Sequence, residues 1–255
     1  MKILALGDLV GPASVRELEK RLWQFRKDNG IDFVVANCEN ASEGNGLARE
    51  DAEQILKAGV DVITSGNHIF RKGSVCKFLD TSKDIIRPAN YPSTCPGMGY
   101  TINPSAGIRI LVMNVMGCVY MDALDNPFDA VEKILKACEG EYDLSILDIH
   151  AEATSEKLAI ANYFDGRIDV IFGTHTHVPT ADERILKGGS AYVTDLGMGG
   201  GVDSILGIRC DIIIKKFITR MPVKFEAQEN DIEFTGVIVK TSQNNKPESI
   251  TRVKF

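Results

Sequence analysis

Short apolar runs alternate with amphipathic stretches over the first two-thirds of this chain, and no other feature constrains its fold as much. Lys2 to Gly7 reads as a buried strand. Ser14 to Asn29 reads as a helix with Val15, Leu18, Leu22 and Phe25 on one face and Gly30 as its stop. The rhythm returns in expected strands at Phe33 to Ala36, Val60 to Ile63, Ile108 to Val115, Leu144 to Ile149 and Ile168 to Phe172. Expected helices at Arg49 to Ala58, Pro127 to Cys138 and Ser155 to Tyr163 lie between them. Such repeats predict an α/β fold with a largely parallel sheet and helices outside it. After about Ser190 the pattern changes. Ala191 to Thr194, Asp211 to Ile218, Ile232 to Lys240 and Ser249 to Val253 read as strands joined by polar turns such as Gln243-Asn244-Asn245-Lys246. A β-meander and a second, mainly antiparallel sheet are expected there. The region of about 69–105, rich in Pro and Gly from Lys72 to Pro104, reads as an irregular surface excursion close to the site. With 255 residues and 44% hydrophobic content the chain can bury one sizeable core, so a single domain over 1–255 is expected.

The net charge of -6 comes with no basic stripe, which argues against long nucleic acid as a partner. An acidic protein acting on anionic phosphates needs positive charge placed locally, and bound metal cations supply it. Six cysteines without a C-x-x-C pair argue against a zinc ribbon. The N-terminus runs straight into a strand without a signal-peptide core, and no apolar run is long enough for a membrane span. A cytoplasmic protein with reduced thiols is the expectation.

The chemistry-bearing residues share one kind of location. His68, His150, His175 and His177 are the only histidines, and each falls just after an expected strand, as do Asp8, Glu39, Asn40 and Asn67. In open α/β sheets the ligand crevice lies beyond the carboxyl ends of the strands, so these residues should converge. Carboxylate, amide and imidazole together suit Mn, Fe or Zn better than Ca. In an extended segment the two imidazoles of His175-Thr176-His177 would point the same way, toward one metal cluster. Glu39 could bridge two cations, and a metal pair can activate water for in-line displacement at phosphorus. Each residue alone also has a plain structural use: Asp8 as a helix cap, Glu39-Asn40 or Asn67 in a turn, His150 as a satisfied core side chain. Their common placement favours the metal centre.

The order Gly7-Asp8, Glu39-Asn40, Gly66-Asn67-His68, His150 and Gly173-Thr174-His175-Thr176-His177 resembles the calcineurin-like metallophosphoesterases. The chain is most similar to their YmdB-like branch of 2′,3′-cyclic-nucleotide 2′-phosphodiesterases. Strings such as Arg87-Pro88-Ala89-Asn90-Tyr91-Pro92, His150-Ala151-Glu152-Ala153-Thr154-Ser155-Glu156-Lys157 and Thr194-Asp195-Leu196-Gly197-Met198 extend the likeness over nearly the whole length. The resemblance implies a four-layer α/β/β/α sandwich with two central mixed sheets flanked by helices. It implies two iron or manganese ions, one held by Asp8, Glu39, Asn40 and His177, the other by Glu39, Asn67, His150 and His175. It implies that His68 donates a proton to the leaving oxygen or steadies the transition state. The wider superfamily begins with Asp-x-His and bridges its metals with Asp. Here Asp8-Leu9-Val10 lacks the histidine, Glu39 takes the bridging place, and Asn40 is the candidate to compensate. Where the branch carries Trp-Asp, this chain has Phe70-Arg71. Phe70 retains an aromatic ring for stacking on a base. Gly199 and Gly200, in the run Gly197-Met198-Gly199-Gly200-Gly201, could belong to a phosphate-facing nest or to a flexible turn.

The expected activity is hydrolysis of a small cyclic-nucleotide phosphodiester, 2′,3′-cyclic NMP to 3′-NMP, by a metal-bridging hydroxide. Other readings are a phosphomonoesterase or protein phosphatase, and an RNA-associated regulator with secondary phosphodiesterase activity. An amidohydrolase barrel also uses H-x-H, but on its first strand, and eight strand–helix units cannot be counted here. Edge strands of the meander would permit a homo-oligomer.

Overall fold

The computed structural model describes residues 1–255. The strand–helix repeat appears as β1 (Lys2–Leu6), β2 (Asp8–Leu9), α1 (Gly11–Asn29), β3 (Phe33–Asn37), α2 (Arg49–Lys57), β4 (Val62–Thr64) and α3 (Gly73–Thr81). It continues through β5 (Tyr100–Ser105), β6 (Ile108–Met116), α4 (Pro127–Ala137), β7 (Leu144–His150), α5 (Thr154–Tyr163) and β8 (Val170–Thr174). The last third comprises β9 (Arg184–Ile185), β10 (Ala191–Val193), β11 (Met198–Gly201), β12 (Ser204–Ile205), β13 (Ile208–Arg209), α6 (Cys210–Thr219), β14 (Ile232–Thr241) and β15 (Pro247–Lys254). No helix is long and apolar enough to cross a membrane.

Two sheets form the centre. One has seven strands, ordered β2-β11-β14-β1-β3-β4 with β15 paired to β14; the other has six, ordered β5-β6-β7-β8-β10-β9. Successive strand residues face opposite sides, and this sorts the apolar side chains into layers. Ile3, Ala5, Phe33 and Val35 meet Ile110, Val112, Ile146, Val170 and Phe172 between the sheets. The alternate residues Leu4, Leu6, Val34 and Ala36 turn outward onto Leu18 and Leu22 of α1, Ile55 of α2 and Leu79 of α3. On the far side Leu111, Met113, Leu147 and Ile149 meet Val131 and Ile134 of α4 and Ile160 of α5. Each fully buried Leu or Ile contributes about 1.5–3 kcal/mol, so both faces of both sheets must be covered. The result is the four-layer α/β/β/α sandwich.

The last third departs from the expected meander. β10 joins the six-stranded sheet parallel to β8, while β14 and β15 complete the seven-stranded sheet, β14 lying antiparallel to β1. Asp211 to Ile218, read as a strand, lies in the helix α6. Its β-branched run pairs with neither sheet, and tertiary context overrides weak β-propensity. Only Ile213 of this helix is buried; Phe217 and Ile218 are exposed. The 69–105 excursion is not irregular throughout. It contains α3 and β5, and its Ile85, Ile86, Arg87 and Asn90 are buried. The helix α1 begins at Gly11 rather than Ser14, because Pro12 is preorganised for a first helical turn.

Candidate metal centre

The carboxyl ends of β1, β3 and β4 in one sheet and of β7 and β8 in the other open on a common cleft. Asp8, Glu39, Asn40, Asn67, His68, His150, His175 and His177 all come together there. His150 Nε2 lies 3.0 Å from Glu39 Oε1, 3.1 Å from Asn67 Oδ1 and 3.1 Å from His175 Nδ1. Nearby, His177 Nε2 lies 3.3 Å from Asn40 Nδ2 and 3.6 Å from Asp8 Oδ1. Glu39 touches both groups, since its Oε1 is also 3.5 Å from Asn40 Nδ2. His68 Nδ1 is 2.7 Å from Asn40 Oδ1 and 3.4 Å from Glu39 Oε1.

This donor set fits cations on two counts. Around His150 Nε2, a carboxylate oxygen, an amide oxygen and a second imidazole nitrogen converge, and one N–H can satisfy only one of them. Asp8 Oδ1 is buried with no hydrogen-bond partner, although its other oxygen accepts the His175 N–H at 3.0 Å. An orphaned buried carboxylate oxygen is costly unless a cation meets it.

Electrostatics agree with the geometry. Burial disfavours the charge on Asp8, but His177 and His150 outweigh it and hold the carboxyl well below its usual range. Glu39 is likewise buried, yet His150 and His68 draw its pKa down. Burial opposes protonation of His150, but Glu39 and Asp8 push it up to about 9. His175 goes the other way, to about 4, through burial and the neighbouring His150. Burial also lowers His68, with Arg71 adding to the effect against Glu39.

Two local features bring the histidines in. Gly66 passes so close to His150 that a Cβ there would lie 2.1 Å from the imidazole Cδ2; only glycine admits this approach. His175 and His177 follow β8 with φ of 96° and 63°, so the H-x-H pair is not extended as expected. Left-handed backbone sends His175 to His150 and His177 to Asp8 and Asn40. Such conformations cost about 1–3 kcal/mol each and persist only where the surroundings fix them. Asp195 does this fixing: its Oδ2 accepts from Thr176 Oγ1 at 2.8 Å and from the fully buried Lys157 at 2.6 Å, and its Oδ1 accepts from Gly197 N–H.

A second support lies beneath His150, where the sequence reading assigned nothing. His150 Nδ1 is 3.0 Å from Thr174 Oγ1 and 3.2 Å from Asn37 Nδ2, and both groups also contact the buried Asp148. Burial raises Asp148 to about 6. Such partners fix the orientation of a metal-binding imidazole. Asp148 could have been found: it is a carboxylate in an otherwise mostly apolar strand, two residues before His150 and so on the same face.

The expected substrate residues fare differently. Phe70 packs edge-on against Tyr91, with ring centroids 5.3 Å apart, and against the outer core, so its ring already has a structural partner. Gly199 and Gly200 form no nest. They lie buried in β11, paired with β14, and a Cβ on Gly199 would collide with Phe234 and Leu9.

Two sheets back to back, with oxygen and nitrogen donors converging from their strand ends, define a metallophosphoesterase. The chain belongs to the YmdB-like family, whose profile matches residues 4–253. It is 38% identical over 246 residues to the 2′,3′-cyclic-nucleotide 2′-phosphodiesterase of Bacillus subtilis, covering 96% of this chain and 93% of that one. A hypothetical protein from Thermus thermophilus has the same structure at a TM-score of 0.94 and 36% identity, over 100% of this chain and 99% of the other. A protein from Mycoplasma pneumoniae described as a novel phosphatase follows at 0.92 and 33%, over 100% and 93%. The protein is a metal-dependent phosphoesterase.

Proposed function

We propose that the enzyme hydrolyses cyclic nucleotide phosphodiesters, foremost 2′,3′-cyclic nucleotides to 3′-nucleotides, at a pair of iron or manganese ions. The convergence of Glu39, Asn67 and His175 on His150 Nε2, beside the orphaned Asp8 oxygen, is the observation that carries this reading. Asp8, Asn40 and His177 would hold one ion, and Asn67, His150 and His175 the other, with Glu39 shared. When bound, the ions would acidify a water and offset charge on the phosphoryl oxygens. The chain's residues do the rest. His68 is only 17% exposed, and it faces the acidic edge of the site through Asn40 and Glu39. An anionic phosphodiester beside it would offset the lowering caused by burial and by Arg71, so that it carries a proton for the departing 2′ oxygen. Asn40 Oδ1 orients that imidazole. The Asp148 and Asp195 networks hold His150, His175 and His177 in place, so little reorganisation accompanies the reaction.

The phosphatase description of the Mycoplasma relative supports a second reading, in which phosphomonoesters are preferred. A panel on metal-reconstituted protein separates the two. Chelator-sensitive turnover led by 2′,3′-cyclic AMP over 3′,5′-cyclic AMP and p-nitrophenyl phosphate is expected. Turnover led by the monoester would keep the centre and reassign the substrate. With two metals bound and no turnover at all, the regulatory reading would gain ground.

A further inference from the structure

Beside the metal centre the surface opens into a groove of about 230 Å³. Asn40 and Val10 line it at the metal centre, and Gly44, Asn45, Arg71, Lys224 and Phe225 line it beyond. It continues into a wider cleft of about 740 Å³ that shares Gly44, Lys224 and Phe225. Three observations distinguish this groove. Every arginine except Arg71 and Arg220 engages a carboxylate or a carbonyl, and Lys224 likewise has no acceptor within the chain. Two unneutralised cations therefore share one groove in a chain of net charge -6. Gly44 and Asn45, which line it, have left-handed φ values of 71° and 67°, and their N–H groups donate to no acceptor in the chain. Exposed cations and free N–H groups together suit an anion. Finally, Phe225 is 39% exposed, and the Lys216 ammonium lies 4.5 Å from its ring centroid, which steadies the ring as a platform.

We infer that this groove binds the substrate beyond the scissile phosphate, with a base against Phe225 and a second phosphate between Arg71 and Lys224. The preferred substrate is then the cyclic-phosphate end of a short oligoribonucleotide rather than a free cyclic mononucleotide. This rests on the phosphodiesterase reading above and deepens it. One base stacked on an aromatic ring and one phosphate met by two cations are together expected to favour the longer ligand by about tenfold or more.

The test has two arms on metal-reconstituted protein. One compares kcat/KM for a dinucleotide ending in a 2′,3′-cyclic phosphate with that for 2′,3′-cyclic AMP. The other compares, by calorimetry, binding of a dinucleotide 3′-phosphate with that of 3′-AMP. A preference of about tenfold for the dinucleotide is expected in both arms, cut to about threefold or less by Arg71→Ala and by Lys224→Ala. Each figure is a ratio on one protein, so losses of folding or metal common to both ligands cancel. Equal turnover and equal binding of the two ligands would overturn the groove and leave the phosphodiesterase reading intact. If neither substrate turns over while the dinucleotide still binds better and Arg71→Ala removes the difference, the groove stands and the phosphodiesterase reading falls. Absence of both turnover and binding preference would overturn both.

Discussion

The two sheets meet at the metal centre with different contributions. The seven-stranded sheet brings oxygen: Asp8 after β1, Glu39 and Asn40 after β3, and Asn67 after β4, with His68 beside them. The six-stranded sheet brings nitrogen: His150 at the end of β7 and His175 and His177 beyond β8. The two carboxylates are held by main-chain N–H groups, His68 N–H on Glu39 at 2.7 Å and His175 N–H on Asp8 at 3.0 Å. The histidines stand on buried side-chain networks centred on Asp148 and Asp195. An imidazole has few atoms with which to fix its own direction, so a nitrogen donor needs more scaffold than a carboxylate that backbone amides can grip. The two sides also lock each other, because the His175 N–H that holds Asp8 comes from the opposite sheet.

Glu39→Gln should produce the largest change. It weakens the one carboxylate that touches both groups, so metal analysis should find both ions depleted and turnover at background; full occupancy would remove Glu39 from the bridge. His68→Ala should separate chemistry from assembly, keeping both metals while lowering turnover by about 10²–10⁴-fold. Unchanged turnover would exclude His68 from proton transfer. Gly66→Ala crosses the seam, since a methyl from the oxygen side displaces His150 on the nitrogen side. A misplacement of about 1 Å costs roughly 10²-fold, and one metal should be lost more readily than the other. Two metals held with equal affinity would show that the sides are not coupled there.

Lys157→Ala tests the scaffold without touching a proposed ligand. It strands the buried carboxylate of Asp195, and removing one partner of a buried pair costs about 3–5 kcal/mol, readable as a lowered denaturation midpoint. The same variant should weaken metal binding through Thr176; a stability loss with unaltered metal affinity would confine the pair to a structural role. The smallest effect is on pH dependence. Ligation through His150, as proposed, needs the neutral imidazole, which its surroundings keep protonated up to about 9. Protons therefore compete with the metal below that value, and apparent affinity should rise as pH increases toward 9. Calorimetry in buffers of different ionisation enthalpy should detect proton release at pH 7, and none would contradict a charged His150.

Much of this was legible in the sequence because local pattern and strand position carry it. The unbroken apolar run Ile3-Leu4-Ala5-Leu6 marks a strand covered on both faces, and a strand end followed by Asp8, Glu39 or His150 marks the edge of a crevice. The late chain was less legible. Ile212-Ile213-Ile214 has strand-like composition, yet it lies in α6 with only Ile213 buried, so composition alone misplaces it. Nothing near Phe70 in the sequence marks its partner, since Tyr91 lies 21 residues away in the chain and packs against it only in the fold.

The sequence by itself determined the α/β class and the buried strands, since each depends on spacing along a single segment, and it marked the strand-end residues that meet in one cleft. The tertiary structure alone decided which sheet the last strands join, the left-handed backbone at His175 and His177, and that Lys157 and Asp195 meet. Those outcomes depend on contacts between segments far apart in the chain, Asp8 with His175 at a separation of 167 residues and β1 with β14 at more than that, and such distances fall outside any local pattern.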